Sequence, residues 1–342
     1  MKSFLLWRVA IVEKNRPYVA MLFIQFVYAG MALLSKAAIS KGMSPYVFVV
    51  YRQAFASVAL SPFAFFDSKQ SAPLSCSLLC KLLCKLFLVS LVGLTASSNL
   101  YYVSINYTTA TFAAAATNTV PAITFIMAAL IRVESISIKR VHGLAKILGS
   151  VLSLAGAITF ALVKGPHLGF MSNTAWSLWL ILQGFVVKQY PAKFRLTAIQ
   201  CLFSFMQSTV VAVAVERNNP SAWRLGWDIH LLSVAYCGVI VTGICYWLQV
   251  CTIETKGPVF TAMFTPLALI ITAICNILST SALLWKETLY LGSVGGTVLL
   301  VVGLYSVLWG KIKESVKEGV KGENLEVEET KEEPRLECIV QH

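Results

Sequence analysis

The sequence predicts an all-α membrane protein of ten transmembrane helices, built as two inverted five-helix repeats. Three observations lead there. Only 13% of the 342 residues are charged, about half the ordinary globular share, and mean hydropathy is +0.72. Apolar segments long enough to cross a bilayer, at roughly 20 residues each, recur along most of the chain. Two stretches also repeat at a constant offset of 145 residues: Gly93, Tyr101, Tyr102 and Pro121 are matched by Gly238, Tyr246, Trp247 and Pro266. Further on, Glu134 precedes Gly143, Gly149 and Gly156 as Glu287 precedes Gly296, Gly303 and Gly310. Membrane proteins built from such repeats place a transported substrate between the halves.

The expected helices run over 17–36, 45–66, 82–104, 108–131, 141–163, 171–187, 197–215, 231–250, 258–284 and 289–309. Residues 1–16, with Lys2, Arg8, Lys14 and Arg16, form a cytosolic N-terminus. The first span serves as its own insertion signal, since its apolar run crosses and carries no clear small-residue cleavage site. Arg132, Lys139, Arg140 and Lys146 flank the fourth and fifth spans on the cytosolic side. The first repeat covers 17–163 and the second 171–310; five spans is an odd number, so the second repeat crosses in the opposite sense. The sixth span is thin: Met171 to Val187 is 17 residues, about 25 Å of helix. It still crosses, because otherwise Lys188, Lys193, Arg195 and the basic tail would lie outside. In the ninth span Pro266 stands 21 residues before Glu287, whereas Pro121 stands 13 before Glu134; the extra residues include Asn276, Ser279, Thr280 and Ser281. After Gly310 the composition turns to Lys, Glu and Val, and 311–342 reads as a disordered cytosolic tail.

Charge distribution excludes a nucleic-acid role despite the net +12. With the N-terminus inside, 21 Lys and Arg lie on the cytosolic side and 6 outside, with Arg52 alone within a span. That asymmetry sets orientation. The nine cysteines and four histidines show no metal spacing, so neither metal nor cofactor is expected. Cys76, Cys80 and Cys84 form one helical stripe, read as packing residues or as palmitoylation sites. No catalytic carboxylate, histidine cluster or nucleophile–base pair is visible, which argues against an enzyme.

Several motifs are specific. They include Ser97-Ser98-Asn99-Leu100-Tyr101-Tyr102-Val103, Asn106-Tyr107-Thr108, the Ala113–Pro121 run, Pro45 through Arg52, Gly257 through Ala262, and Trp285-Lys286-Glu287-Thr288-Leu289. Over residues 17–310 the chain resembles the plant nodulin-like EamA transporters, also called walls-are-thin-related or UMAMIT, of the drug/metabolite transporter superfamily. The resemblance implies ten helices as two EamA repeats and movement of amino acids or related small metabolites. The chain departs from that pattern in its short linker before the sixth span and in the insertion before Trp285.

Polar residues inside spans are expensive and become candidates for the pathway. Arg52 can hold a substrate carboxylate through a bidentate contact, or act structurally on backbone carbonyls. Asn99 and Asn118 are neutral donor–acceptors suited to a zwitterion, or to interhelical hydrogen bonds. Thr119 flanks Asn118, and Pro121 nearby frees a backbone carbonyl. The second half offers Trp179, Gln183, Tyr246 and Gln249 as an aromatic wall opposite, or as interface anchors. Together these describe an alternating-access carrier of amino acids or related small metabolites, facilitative or bidirectional because no Asp, Glu or His lies mid-span. The alternatives are a carrier of auxin-like indoles or other organic metabolites, or a transport-impaired variant with a shortened sixth helix. Its partners are a small-molecule substrate and the lipid bilayer. Gly292 and Gly296 offer a face for homodimerisation or for packing within the bundle. The plasma membrane is the first expected location and the vacuolar membrane the second.

An even number of spans and the Lys/Arg bias put both termini in the cytosol. Protease added to sealed, right-side-out cells should therefore leave an epitope on the tail intact; cleavage there would reverse the topology.

Overall fold

The computed structural model describes residues 2–68, 76–107, 116–133, 148, 167–190 and 192–279. These residues form helices joined by short turns, with no strand among them. They are α1 (Lys2–Ser40), α2 (Pro45–Ser68), α3 (76–107), α4 (Thr119–Leu130), α5 (His167–Gln189), α6 (Lys193–Val215), α7 (Ile229–Lys256), α8 (Pro258–Met263) and α9 (Thr265–Ser279). Six contain segments long and apolar enough to cross a membrane: Asn15–Ser40, Pro45–Phe66, Leu79–Tyr107, Leu168–Gln189, Lys193–Val215 and Ile229–Lys256. They match the expected first, second, third, sixth, seventh and eighth spans, while α4 and α8–α9 supply parts of the fourth and ninth. The fifth and tenth spans, Gly292, Gly296 and the tail 311–342 lie outside the described residues.

Two boundaries differ from expectation. The first helix starts at Lys2 and runs straight through Pro17. Proline's fixed φ is compatible with a helix, at the cost of one backbone hydrogen bond and of crowding between its ring and the carbonyl four residues back. The sixth expected span is not thin, because α5 is 23 residues long, about 34 Å at 1.5 Å per residue. Hydropathy stops at Met171 and Val187, but the backbone continues hydrogen-bonding through Leu168 and Gly169 at one end and Lys188 and Gln189 at the other. The shortening that suggested a transport-impaired variant is absent. The ninth span remains helical through Ser279; Thr280 and Ser281 lie outside the described residues.

Side-chain contacts fix the helix directions. α1 and α7 are antiparallel: Ser233 donates to the Leu34 carbonyl at 3.0 Å, Tyr236 to the Val27 carbonyl at 3.1 Å, and Lys256 lies 5.8 Å over the Tyr18 ring. α2 and α6 are antiparallel, with Ser44 donating to Glu216 at 2.6 Å and Phe63 stacked on Phe194. α3 and α5 are antiparallel, with Ser172 donating to the Ser97 carbonyl at 2.8 Å and Trp179 seated beside Gly93. By contrast α3 and α6 are parallel, joined by Ser90 to the Gln200 carbonyl, Thr95 to Ser204 and Asn99 to Ser208. α2 and α7 are also parallel, Gly238 facing Phe55 and Gly243 facing Leu60. So are α4 and α5, through Asn173 to the Ala116 carbonyl and Ser177 to the Val120 carbonyl. Hence α1, α3 and α6 point one way, and α2, α4, α5 and α7 the other. Apolar side chains such as Val58, Phe66 and Val210 stay on the outer surface, where the bilayer is their solvent. Cys80 and Cys84 of the predicted stripe are exposed there as well.

α3 and α7 each contain a π-helical segment, Ser90–Ala96 and Tyr236–Cys245. Both lie around the repeated glycines, Gly93 and Gly238. A Cβ on Gly238 would sit 2.5 Å from the Phe55 Cβ and 2.7 Å from the Arg52 carbonyl oxygen, and one on Gly93 would overlap the Trp179 side chain. Gly238 lets α7 approach the backbone of α2, and Gly93 makes room on α3 for the Trp179 side chain of α5. Gly184 on α5 is less crowded, its nearest neighbour being Ile253 at 3.5 Å from the would-be Cβ. Gly238→Ala and Gly93→Ala should each lower stability by about 1–3 kcal/mol through overpacking, whereas Gly184→Ala should be near neutral. Thermal unfolding of the purified variants in detergent measures the difference.

Candidate functional site

A cavity lies between α1, α3, α4, α5, α7 and the α8–α9 pair, with about 90 Å³ of room for the centres of water-sized groups. At about 30 Å³ per water in the liquid, that is room for roughly three waters or a small organic group. Arg52 reaches this space from α2. It is 3% exposed, and three helices hold it. Its Nε donates to Thr242 Oγ1 at 2.6 Å, Nη1 to the Tyr102 hydroxyl at 2.8 Å and Nη2 to the Tyr246 hydroxyl at 2.8 Å. The Tyr102 and Tyr246 ring centroids stand 5.5 and 5.6 Å from Cζ, in cation–π range.

The local backbone explains why these groups meet. In the π segment of α7 the Thr242 hydroxyl donates to the Cys237 carbonyl five residues back, at 2.9 Å, which leaves the Thr242 oxygen free to accept from Arg52. Gly238 in the same segment lets α2 come close enough for that bond. Phe48, one turn before Arg52 on α2, packs its ring 4.7 Å from that of Tyr102 and steadies the hydroxyl. A guanidinium has five N–H donors, and three are engaged. One N–H remains on each terminal nitrogen, a pair that a carboxylate can bridge.

An aromatic wall adjoins the cation. Trp176 lines the cavity, stacked on Trp179 at 4.7 Å and tilted against Tyr246 at 5.3 Å. Tyr101 and Tyr246, equivalent positions of the sequence repeat, both line the cavity. On another side, Tyr28 and Gln249 line the cavity, and the Tyr28 hydroxyl and Gln249 Oε1 are buried without a hydrogen-bond partner. They are buried polar atoms next to open space, ready to meet a ligand.

The predicted site residues fall in four places. Arg52, Tyr246 and Gln249 line the cavity. Thr119 and Trp179 stand one layer behind: Thr119 accepts from Asn173 at 2.9 Å, and Trp179 backs Trp176. Asn99 and Gln183 instead belong to a polar seam between α3, α5 and α6. There Asn99 donates to the Thr95 carbonyl at 2.8 Å, and Gln183 accepts from Gln200 at 2.8 Å. Asn118 is buried at the start of α4, with both amide atoms unpartnered and outside the cavity lining. Tyr28, Tyr102 and Thr242 were not singled out from sequence. Tyr102 belongs to the repeated motif, a signal that could have found it; Thr242 depends on the π segment, which could not.

The sequence model of the EamA-like transporter family matches this chain twice, over residues 15–156 and 163–309. The chain belongs to the EamA-like transporter family. It is a multi-pass membrane transporter of small metabolites, not an enzyme. Its relatives include the WAT1-related protein At1g43650 of Arabidopsis thaliana, 54% identical over 328 residues, covering 88% of this chain and 93% of the relative. A second, the WAT1-related protein At5g64700 of Arabidopsis thaliana, is 42% identical over 343 residues, covering 90% and 93%. A solved crystal structure superposes on the transporter with a TM-score of 0.61 at 12% identity, covering 86% of this chain and 97% of the other. At that identity the likeness concerns the fold alone.

Cavity and seam should respond differently to mutation. Gln183→Ala strips Gln200 of its acceptor and should cost about 1–3 kcal/mol of stability while leaving substrate KM unchanged. Gln249→Ala should leave the melting temperature unchanged and raise KM. Parallel melting and uptake measurements on both variants check this.

Proposed function

We propose that the transporter is an alternating-access carrier of amino acids and related small carboxylates, binding them between two inverted five-helix halves. The observation that carries the substrate reading is Arg52: a buried guanidinium at the cavity wall with two N–H groups unspent. A substrate carboxylate would bridge them. Gln249 Oε1 and the Tyr28 oxygen would accept from the α-ammonium, and the Trp176–Tyr246 wall would take an apolar side chain. These contacts come from α2, α7, α1 and α5, with Thr119 of α4 supporting the wall through its hydrogen bond from Asn173.

Helix packing supports the inverted plan. If each span of the first half corresponds to the span five later, contact pairs should occur in twos. α1–α7 has its counterpart in α5–α3, α2–α7 in α6–α3 and α1–α9 in α5–α4, while α2–α6 and α4–α8 map onto themselves. α1 and α5, the first described helices of each half, point in opposite directions. Two successive family matches, over 15–156 and 163–309, support a reading as two repeats. Under this reading both termini are cytosolic, the domain limits are those expected from sequence, and the plasma membrane is the first location to examine, the vacuolar membrane the second.

The aromatic wall favours a second reading, an aromatic carboxylate such as an indole acid, which would need Arg52 but not the Gln249–Tyr28 pair. Purified chain in vesicles should release labelled amino acids, and Arg52→Ala should weaken apparent affinity tenfold to a hundredfold, about 1.5–3 kcal/mol, while still inserting. An absence of flux for every amino acid, with indole acids competing or moving, would select the second reading.

A further inference from the structure

Among the described residues, Arg52 has no ionic partner. No Asp or Glu occurs within any of the ten expected spans, and the three groups that accept from Arg52 are neutral hydroxyls. Tyrosine rings at 5.5 and 5.6 Å spread some of the charge but do not cancel it. A cation held this way in a low-dielectric span is stabilised most by a mobile anion that reaches it. During transport the substrate carboxylate fills that role. Between substrates, some other anion must enter or the site stays charged.

We infer that Arg52 is also a binding site for a monovalent inorganic anion of chloride's size, which occupies the cavity in competition with the organic substrate. The donors are the two spare guanidinium N–H groups, with the Tyr28 hydroxyl facing the same cavity. Valence follows from charge balance: one guanidinium is neutralised by one negative charge, and a dianion would leave an uncompensated charge of opposite sign. Dehydration points the same way, since a dianion gives up far more hydration on entering. The cavity has room for such an ion together with water beside the aromatic wall, and one small anion is enough to reach the two N–H groups. The inference rests on the cavity reading above, but it requires only Arg52 and not the contacts proposed for the ammonium.

The test uses the purified full chain, with sodium chloride compared against sodium sulfate at matched ionic strength. Chloride should raise the melting temperature saturably, as a ligand of the folded state does. Arg52→Lys should retain a weaker response and Arg52→Gln should lose it. In vesicles, chloride should raise the KM of a transported amino acid without changing Vmax, doubling KM at a chloride concentration equal to its own dissociation constant. An unmoved melting temperature together with an unmoved KM overturns the proposal, and so does a full chloride response in Arg52→Gln, which would put the ion elsewhere. Should Arg52→Gln fail to fold, competition in the unmodified chain decides: a fall in Vmax at constant KM counts against it. A chloride response lost in Arg52→Gln, with no amino acid transported, keeps the anion site and removes the amino-acid reading. Amino-acid transport indifferent to chloride does the reverse.

Discussion

A guanidinium buried inside a bilayer has to be solvated by the protein that carries it, and much of this bundle is arranged around that requirement. Three hydroxyls from two helices besides Arg52's own converge on it, and each hydroxyl is itself fixed. Thr242 is turned by the carbonyl of Cys237, Tyr102 is packed against Phe48 and Tyr101, and Tyr246 is wedged beside Trp176 and Trp179. Of these three, Tyr246 also forms part of the cavity wall. Support of the cation and the shape of the cavity therefore meet in one side chain, and a change at Tyr246 would disturb both.

The second constraint is distance between backbones. Lipid offers no hydrophobic drive for helices to associate, so close packing and interhelical hydrogen bonds must hold them. The two π segments bring this about by shifting the helix register where a glycine meets a neighbouring helix. At Gly238 the neighbour is the backbone of Arg52, and at Gly93 it is the indole of Trp179. One site thereby seats the cation and the other seats the aromatic wall. Away from the cavity, α3 and α6 are joined by neutral hydroxyls and amides, with Thr95 bonded to both Ser204 and Gln207. That seam pairs most of its buried polar groups with neutral partners, although Asn99 Oδ1, Gln183 Nε2 and Gln200 Oε1 stay without one.

Much of this architecture was legible in the sequence because apolar runs, charge bias and the repeat report directly on bilayer crossing. The second span was expected at 45–66, and its apolar stretch is Pro45–Phe66. Arg52 stood out as the single charge well inside a span, and Tyr246 and Gln249 as polar groups on a facing helix. What hydropathy could not supply was where helices end once they reach the interface, which is why α5 is longer than its apolar window. Direction was equally hidden. Asn99 and Gln183 have the composition of pathway residues, yet they face a neighbouring helix, because in a bundle buried on several sides every face of a helix has a use. The π segments leave no mark in composition beyond a glycine, so Thr242's part in holding Arg52 emerged only from the coordinates.

The hydrogen bonds of Arg52 also bear on how the chain is made. Tyr102 lies 50 residues beyond it, but Thr242 and Tyr246 lie 190 and 194 residues beyond. At about 5–20 residues per second of synthesis, α2 is inserted tens of seconds before two of its three partners leave the ribosome. During that interval the guanidinium must reach towards the headgroups or borrow water, so α2 cannot yet rest at its final depth. The bundle's first helices thus wait on α7, and completion of the Arg52 clamp is a natural checkpoint in biogenesis. A chain truncated before residue 242 would expose an unsatisfied charge to the membrane, which is the kind of lesion that quality-control machinery detects.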